Sequence, residues 1–266
     1  MDLVTCTISD GIAQVRLTRP EKLNALTLPL LDQLVATAHR LRKDTALRAV
    51  VIAGEGDAFC AGLDFASVLR KPTDIATAFL PRPWRSGGTN TFQEASWAWR
   101  SVPVPVIAAI HGHCLGGGVQ IALGADFRIA TPDSTWSVLE GKWGIIPDMS
   151  GIQSLSELVG IDRAKLLTMT AESFSGKEAH DLGLVTELAP DPVAAATALA
   201  HRLSAKSPDA LAAAKRLFND TWGSSPRRTF ARERVEQLLL LFGANAKAAR
   251  EAAFKRTAPT YAPRRR

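Results

Sequence analysis

The chain has 266 residues, 46% of them hydrophobic and 22% charged, with 19 Gly and 15 Pro; this is ordinary globular composition and excludes collagen-like, low-complexity and disordered classes. The longest uncharged apolar run, Val102 to Ile110, is far short of the roughly 18 residues that cross a bilayer, so no membrane partner is expected. Lys plus Arg exceed Asp plus Glu by 32 to 26, and most of that excess is Lys255, Arg256, Arg264, Arg265 and Arg266, a tail that reads as a solvated extension rather than a nucleic-acid site.

The N-terminus carries Asp2 where a secretory signal would carry Lys or Arg, and no long apolar stretch follows it, which reads as cytoplasmic. Ile12 to Thr18 alternates apolar and polar residues, as a half-buried strand does. Leu28 to Lys43 has helical patterning, and Arg48 to Ala53 is a short apolar run closed by Gly54-Glu55-Gly56 that predicts a buried strand. Val104 to Ile110 and Asp126 to Thr131 predict two more strands, with a helix over Gly117 to Leu123 between them. Such alternation predicts α/β architecture.

From Pro192 onward the pattern is helical: a first Ala-rich run, then Pro208 to Thr221, then Arg227 to Phe242. The composition shift near residue 190 divides a core at 1–190 from a helical region at 191–266. Within that region Gln237 to Phe242 is apolar around more than one face, which predicts packing against another subunit. Pro81 to Asn90 has loop chemistry.

Cys6, Cys60 and Cys114 are odd in number and form no C-x-x-C pair, so reduced thiols are expected and no zinc site. There is no G-x-G-x-x-G, no G-x-x-x-x-G-K-[ST] and no G-x-S-x-G, which removes the support for nicotinamide, ATP and serine-hydrolase chemistry. His111-Gly112-His113 lacks a third ligand at metal spacing, and no metal is expected. Two turns remain, each after a predicted buried strand: Ala58-Phe59-Cys60-Ala61-Gly62-Leu63-Asp64, and His111 through Gly116-Gly117-Gly118. Three glycines opening a helix either let a ligand approach the backbone or permit tight helix-to-strand packing.

These turns, with Arg19-Pro20-Glu21-Lys22-Leu23-Asn24-Ala25-Leu26, Ile145-Ile146-Pro147, Ser175-Gly176-Lys177-Glu178-Ala179, Gly183-Leu184-Val185 and Phe254-Lys255-Arg256, stand in the order and spacing of the crotonase, or enoyl-CoA hydratase/isomerase, superfamily, which the chain resembles over nearly its whole length. The resemblance implies a crotonase-like α/β spiral of β-β-α turns with a C-terminal helical trimerisation region, a homotrimer that can pair into a hexamer, and an acyl-CoA thioester substrate. Coenzyme A is then part of the substrate, and no separate cofactor is implied. It places the N–H groups of Leu63 and Gly117, flanked by Gly62 and Gly116, in an oxyanion hole, where loss of one donor typically costs about 3 kcal/mol of transition-state stabilisation. It lays the CoA along Lys22, Leu23, Ala25, Ala61, Asp64 and Phe65, with Pro147 at the acyl side and Lys255 and Arg256 near the phosphates. It also makes Trp84, Trp97, Trp99, Phe79 and Phe92 candidates for an aromatic acyl pocket, although Trp97 and Trp99, two apart, cannot share one helix face, so that ordinary packing or an interface contact is the alternative for at least one of them.

The acids decide the reaction. Hydratases that the chain resembles carry two glutamates; here the first position is Gln120 and the second is Glu140. A neutral amide orients water or substrate but takes no proton from it, so hydration is disfavoured, although a helix-surface Gln would look the same in sequence. Asp148 lies eight residues after Glu140, as the second acid does in the dienoyl-CoA isomerases of the family, which also carry an acid where Gln120 stands. Asp148 equally suits a helix N-cap. Glu140, among Trp136, Val138, Leu139 and Trp143, has little structural reason to be charged. The expectation is an enoyl- or dienoyl-CoA double-bond isomerase of fatty-acid metabolism, with a one-acid hydratase and a non-catalytic acyl-CoA or RNA binder as the competing classes.

Overall fold

The computed structural model describes residues 2–70, 72–82 and 86–265. Its strands are β1 (Val4–Ser9), β2 (Ile12–Leu17), β3 (Ala49–Gly54), β4 (Val106–Ile110), β5 (His113–Leu115), β6 (Phe127–Ala130), β7 (Thr135–Ser137), β8 (Phe174–Ser175) and β9 (Glu187–Leu188). Its helices are α1 (Leu28–Lys43), α2 (Phe65–Val68), α3 (Pro72–Phe79), α4 (Thr91–Ser101), α5 (Gly117–Leu123), α6 (Gly151–Val159), α7 (Ile161–Thr170), α8 (Gly176–Asp181), α9 (Pro192–Ser204), α10 (Pro208–Thr221), α11 (Pro226–Leu241) and α12 (Ala244–Lys255).

A six-stranded sheet runs β1-β2-β3-β4-β6-β9, parallel except for the β1–β2 hairpin. Asp10 and Gly11, at φ 52° and 74°, close that hairpin; two left-handed residues match the twist of the strands they join. β3 is buried along its whole length because both faces of the sheet are covered. Val50 and Ile52 point into the main core with Leu30, Leu34, Phe59, Trp99 and Trp136, whereas Val51 and Ala53 join a smaller core with Ile107, Ile129, Ala196 and Ala200. Since Ala196 and Ala200 belong to α9, packing runs unbroken across residue 190.

After each of β3, β4 and β6 the chain leaves the large sheet and lays a short segment in a second layer. Cys60 bridges Cys114 of β5, β5 pairs in parallel with β7, and Leu26 bridges Leu63. Stacking these turns brings residues 61–63, 115–117 and 137–140 side by side, so the α/β spiral itself assembles the site.

The last third is helical, as expected, and is pinned to the core. The Lys215 ammonium of α10 donates to the carbonyls of Trp99 and Val104 and to Asp126 Oδ2, at 3.1, 3.0 and 2.7 Å. The tail departs from the expected solvated extension at one described arginine: Lys255, Arg256 and Arg265 are exposed, but Arg264 is only 3% exposed, its N–H donates to Thr45 O, and its guanidinium reaches the carbonyls of Asp44 and Leu47. Arginine at this position fills a backbone-lined slot instead of facing solvent. Arg266 lies outside the described residues. In α11 and just after it, Leu238, Leu239, Leu241 and Phe242 are exposed in the single chain. Among the described residues no helix is long and apolar enough to cross a membrane.

Candidate active site

The two Gly-rich turns meet. Leu26 N–H donates to Gly62 O and Asp64 N–H to Leu26 O, at 2.7 and 2.9 Å, which leaves the intervening Leu63 N–H facing the opposite way, without a protein partner among the described residues. Gly117 opens α5, where a helix N–H has no intrahelical acceptor. The turns are so close that a Cβ on Gly62 would lie 2.9 Å from Leu115 O and 3.7 Å from Gly117 N. The three glycines differ in what their backbones approach. Gly116 sits at φ 50° beneath the Glu140 carboxylate, whereas a Cβ on Gly118 would stand 2.5 Å from Cys60 O, so that glycine serves helix-to-turn packing.

The Leu63 and Gly117 turns border a cavity of about 600 Å³. Val68, Leu69, Ile75, Phe79 and Phe92 line it on one side, and Phe65, Leu139, Trp143, Ile145, Ile146 and Met149 on another. Among the described residues its ionisable wall groups are Glu140 and Asp148. A second hollow of about 460 Å³ beside α6 and α10 is a weaker candidate, because its charged groups are already engaged, Lys215 with Asp126, Arg100 with Glu157, and Arg128 with the carbonyls of Ala125 and Leu184.

Glu140 is delivered by a 3-10 turn after β7 and is only 6% exposed. Its Oε1 accepts from Gln120 Nε2 at 2.6 Å, while Oε2 is buried without a protein partner. Burial pushes its pKa above the ordinary carboxyl value and the Asp148 charge adds to the push, against the partly offsetting Gln120 bond. Burial likewise raises Asp148. The capping reading of Asp148 gives way: α6 starts after Ser150 with no side-chain cap, and the N–H groups of Met149 and Gly151 both donate to Gln120 Oε1, at 2.7 and 2.9 Å. Gln120, expected to position substrate or water, is spent on these protein partners behind Glu140 and is absent from the cavity wall.

Of the other expected site residues, Ala61, Gly62, Leu63, Phe65, Gly116 and Gly117 line the cavity. Lys22, Leu23 and Ala25 do not; they form an adjoining turn whose Leu23 carbonyl accepts the Ala61 N–H. Asp64 is committed to structure, pairing with Arg19 at 2.8 Å and capping α2 through Ser67 N–H. Burial raises its pKa, but these bonds outweigh it and hold the group below the ordinary value. Pro147 is buried beside the wall rather than on it. Lys255 and Arg256 are exposed at the end of α12. Phe79 and Phe92 line the cavity as expected, with ring centroids 4.8 Å apart. Trp99 is instead core, its indole N–H donating to Ala95 O, and Trp97 stacks on Arg100 outside the cavity. Trp84 lies outside the described residues.

His111 and His113 do not gather a ligand set; His111 Nε2 meets Gly56 O at 2.7 Å. The thiols are free, and burial pushes Cys60 up to about 12 and Cys114 well above its ordinary value.

Residues 7–252 match the family model described as enoyl-CoA hydratase/isomerase. The chain belongs to that family. It is 36% identical over 215 residues to the mitochondrial Δ(3,5)-Δ(2,4)-dienoyl-CoA isomerase of Rattus norvegicus, an alignment spanning 77% of this chain but only 64% of that one. It is 34% identical over 215 residues to a protein of Bacillus subtilis named probable enoyl-CoA hydratase, covering 80% of each. A crystal structure of enoyl-CoA hydratase from Mycobacterium tuberculosis superposes with a TM-score of 0.86 at 28% identity, covering 98% of both chains. Membership in the enoyl-CoA hydratase/isomerase family therefore rests on sequence and fold together. Sequence reasoning missed Val68, Leu69, Ile75 and Met149 as walls of this site, since isolated apolar residues on separate elements carry no motif. The Trp143 ring packed at 5.0 Å on Phe65 was signalled only by its nearness to Glu140 in the chain.

Proposed function

We propose that this family member moves a double bond along an acyl-CoA chain, most specifically from a 3,5-diene to a 2,4-diene, and does not add water. The observation that carries the reading is that Glu140 and Asp148, both with raised pKa, share one apolar cavity with the unpartnered Leu63 and Gly117 amides. The thioester oxygen accepts from those two amides. One carboxylate takes the proton that leaves the carbon beside the thioester, and charge spreads onto the held oxygen. The other carboxyl, protonated, delivers a proton further along the chain. Raised pKa values in a water-poor site suit that division, since one acid must be ionised while its neighbour is not. Hydration needs a second polar group holding the water, and Gln120 has its amide oxygen filled by two N–H donors.

Lys22, Leu23, Ala25 and Ala61 make up the edge along which the CoA runs, with Lys255 and Arg256 offered to its phosphates. The exposed apolar face of α11 is the contact through which copies of the chain assemble as a trimer.

An ultraviolet time course tests the reaction. A 3,5-dienoyl-CoA should gain conjugation with the thioester, and both Glu140→Gln and Asp148→Asn should abolish the gain. Loss of conjugation from a trans-2-enoyl-CoA, removed by Glu140→Gln alone, would replace the reading with a one-acid hydratase. Ligand binding without turnover of either substrate would replace it with an acyl-CoA binder.

A further inference from the structure

We propose that Gln120 is a positioning residue that ties the two acids into one unit: its amide nitrogen decides which oxygen of Glu140 stays free, and its amide oxygen fixes the turn that carries Asp148. The isomerase reading supplies only the meaning of the two carboxyls as acid and base; the geometry stands without it.

The amide has one workable orientation. Met149 and Gly151 both present N–H groups to it, at 2.7 and 2.9 Å, so an oxygen must face them, and the nitrogen is turned by necessity toward Glu140 Oε1 at 2.6 Å. Glu140 Oε1 is thereby occupied, and Oε2 is left as the oxygen without a protein partner. Three further observations show that the surroundings are shaped around this strut. Gln120 is 1% exposed, so water does not compete for its bonds. A Cβ at Gly151 would lie 2.6 Å from Gln120 Oε1, so only glycine lets the amide this close. Ser96 of α4 donates to the Gln120 backbone carbonyl at 2.5 Å and accepts from Ser150 Oγ at 3.1 Å, which ties the backbones at both ends of the link to one helix.

In this chain an uncharged side chain that donates on one side and accepts on the other fills this place. A carboxyl could accept from the two N–H groups, yet it would face Glu140 across a hydrogen-bond distance, and the pair would have to share a proton. An apolar side chain would leave two buried N–H groups unsatisfied and release the turn. Among the described residues, the groups placed beside the Glu140 carboxyl are Gln120 from α5, the Gly116 backbone ahead of that helix and, as the one charge acting on it, Asp148 from the turn ahead of α6. Lys142 points elsewhere, over the Trp143 ring.

The test compares the wild type with Gln120→Glu and Gln120→Met. It uses the pH dependence of kcat/KM on a 3,5-dienoyl-CoA and an infrared pH titration of the Glu140 carboxyl, assigned by subtracting the Glu140→Gln spectrum. In Gln120→Glu the acid limb and the Glu140 band should both move alkaline by about one pH unit or more. In Gln120→Met kcat should fall about a hundredfold, as misplacement by an ångström costs, while KM stays within about twofold. A purely structural glutamine would lower thermal stability in both variants but leave the acid limb and the kcat of folded protein unmoved, and that result overturns the proposal. If the wild type turns over no dienoyl- or enoyl-CoA, the isomerase reading falls and the infrared titration still decides: a Glu140 band unmoved in Gln120→Glu overturns the positioning role, and a moved one upholds it.

Discussion

Between β3 and Met149 the apolar side chains of the strands and stacked turns are largely buried, and the polar groups among the described residues that border the apolar cavity are backbone amides and the Glu140 and Asp148 carboxyls. Between α10 and α12 the reverse holds: Phe218, Trp222, Phe230, Leu238, Phe242 and Phe254 all stand more than half exposed. The stacked turns use their apolar surface to fix backbone positions, because N–H groups such as those of Leu63 and Gly117 at the cavity can be placed only through the backbone. The helices leave theirs uncovered, as a contact surface does. Where the two regions touch, polar groups make the join: Lys215 at the core and Arg264 beside α1.

The comparison can be broken most forcefully at that join. Lys215→Met should cost roughly 3–5 kcal/mol in urea unfolding, since it strips a buried ammonium from Asp126 and two carbonyls. Next in size is a glycine contrast. Gly112→Ala puts a methyl group onto the Asp57 carbonyl oxygen at φ +55° and should lose roughly 2–4 kcal/mol. Gly223→Ala beyond α10, where a Cβ meets nothing within 4 Å, should change stability by less than about 0.5 kcal/mol. Equal losses would refute the claim that the turns alone are tightly packed.

A smaller effect has the opposite sign. Burial raises the folded-state pKa of Glu140, so at a pH above that value the folded protein holds a charge that the unfolded chain carries more easily. Glu140→Gln should therefore raise Tm there, and the gain should shrink as pH falls through the folded pKa toward the ordinary glutamate value near about 4.3. A Tm gain independent of pH would mean that packing, not charge, is responsible. Smallest on folding is the double change Leu238→Ser with Phe242→Ser. It should leave monomer stability within about 0.5 kcal/mol while shifting sedimentation toward smaller species, and unchanged sedimentation would remove α11 as the assembly face.

Much of the fold was legible because it obeys local rules. The apolar runs at 48–53 and 104–110, the helix over Leu28 to Lys43 and the helical last third all appear where patterning puts them. β1 was not anticipated although Asp10-Gly11 is a hairpin signal; its side chains lie at a sheet edge, mostly exposed, so the apolar contrast that marks a strand is weak. In the site, Leu63, Gly117, Glu140 and the Gly-rich turns were readable as motifs. The roles of Gln120, Asp64, Trp97 and Trp99 were not, because each depends on a partner brought close by folding.

The sequence by itself determined that the chain builds α/β turns followed by helices, that two Gly-rich turns each follow a buried strand, and that two acids stand eight residues apart. These follow from periodicity, chain geometry and residue chemistry, which act over short spans. Only the tertiary structure decided that Asp148 faces a cavity instead of capping a helix, that Gln120 serves Glu140 instead of substrate, and that Arg264 is an anchor instead of a solvated charge. Each of those outcomes turns on which hydrogen-bond partner lies within about 3 Å, and that is settled by stacking segments remote in the chain.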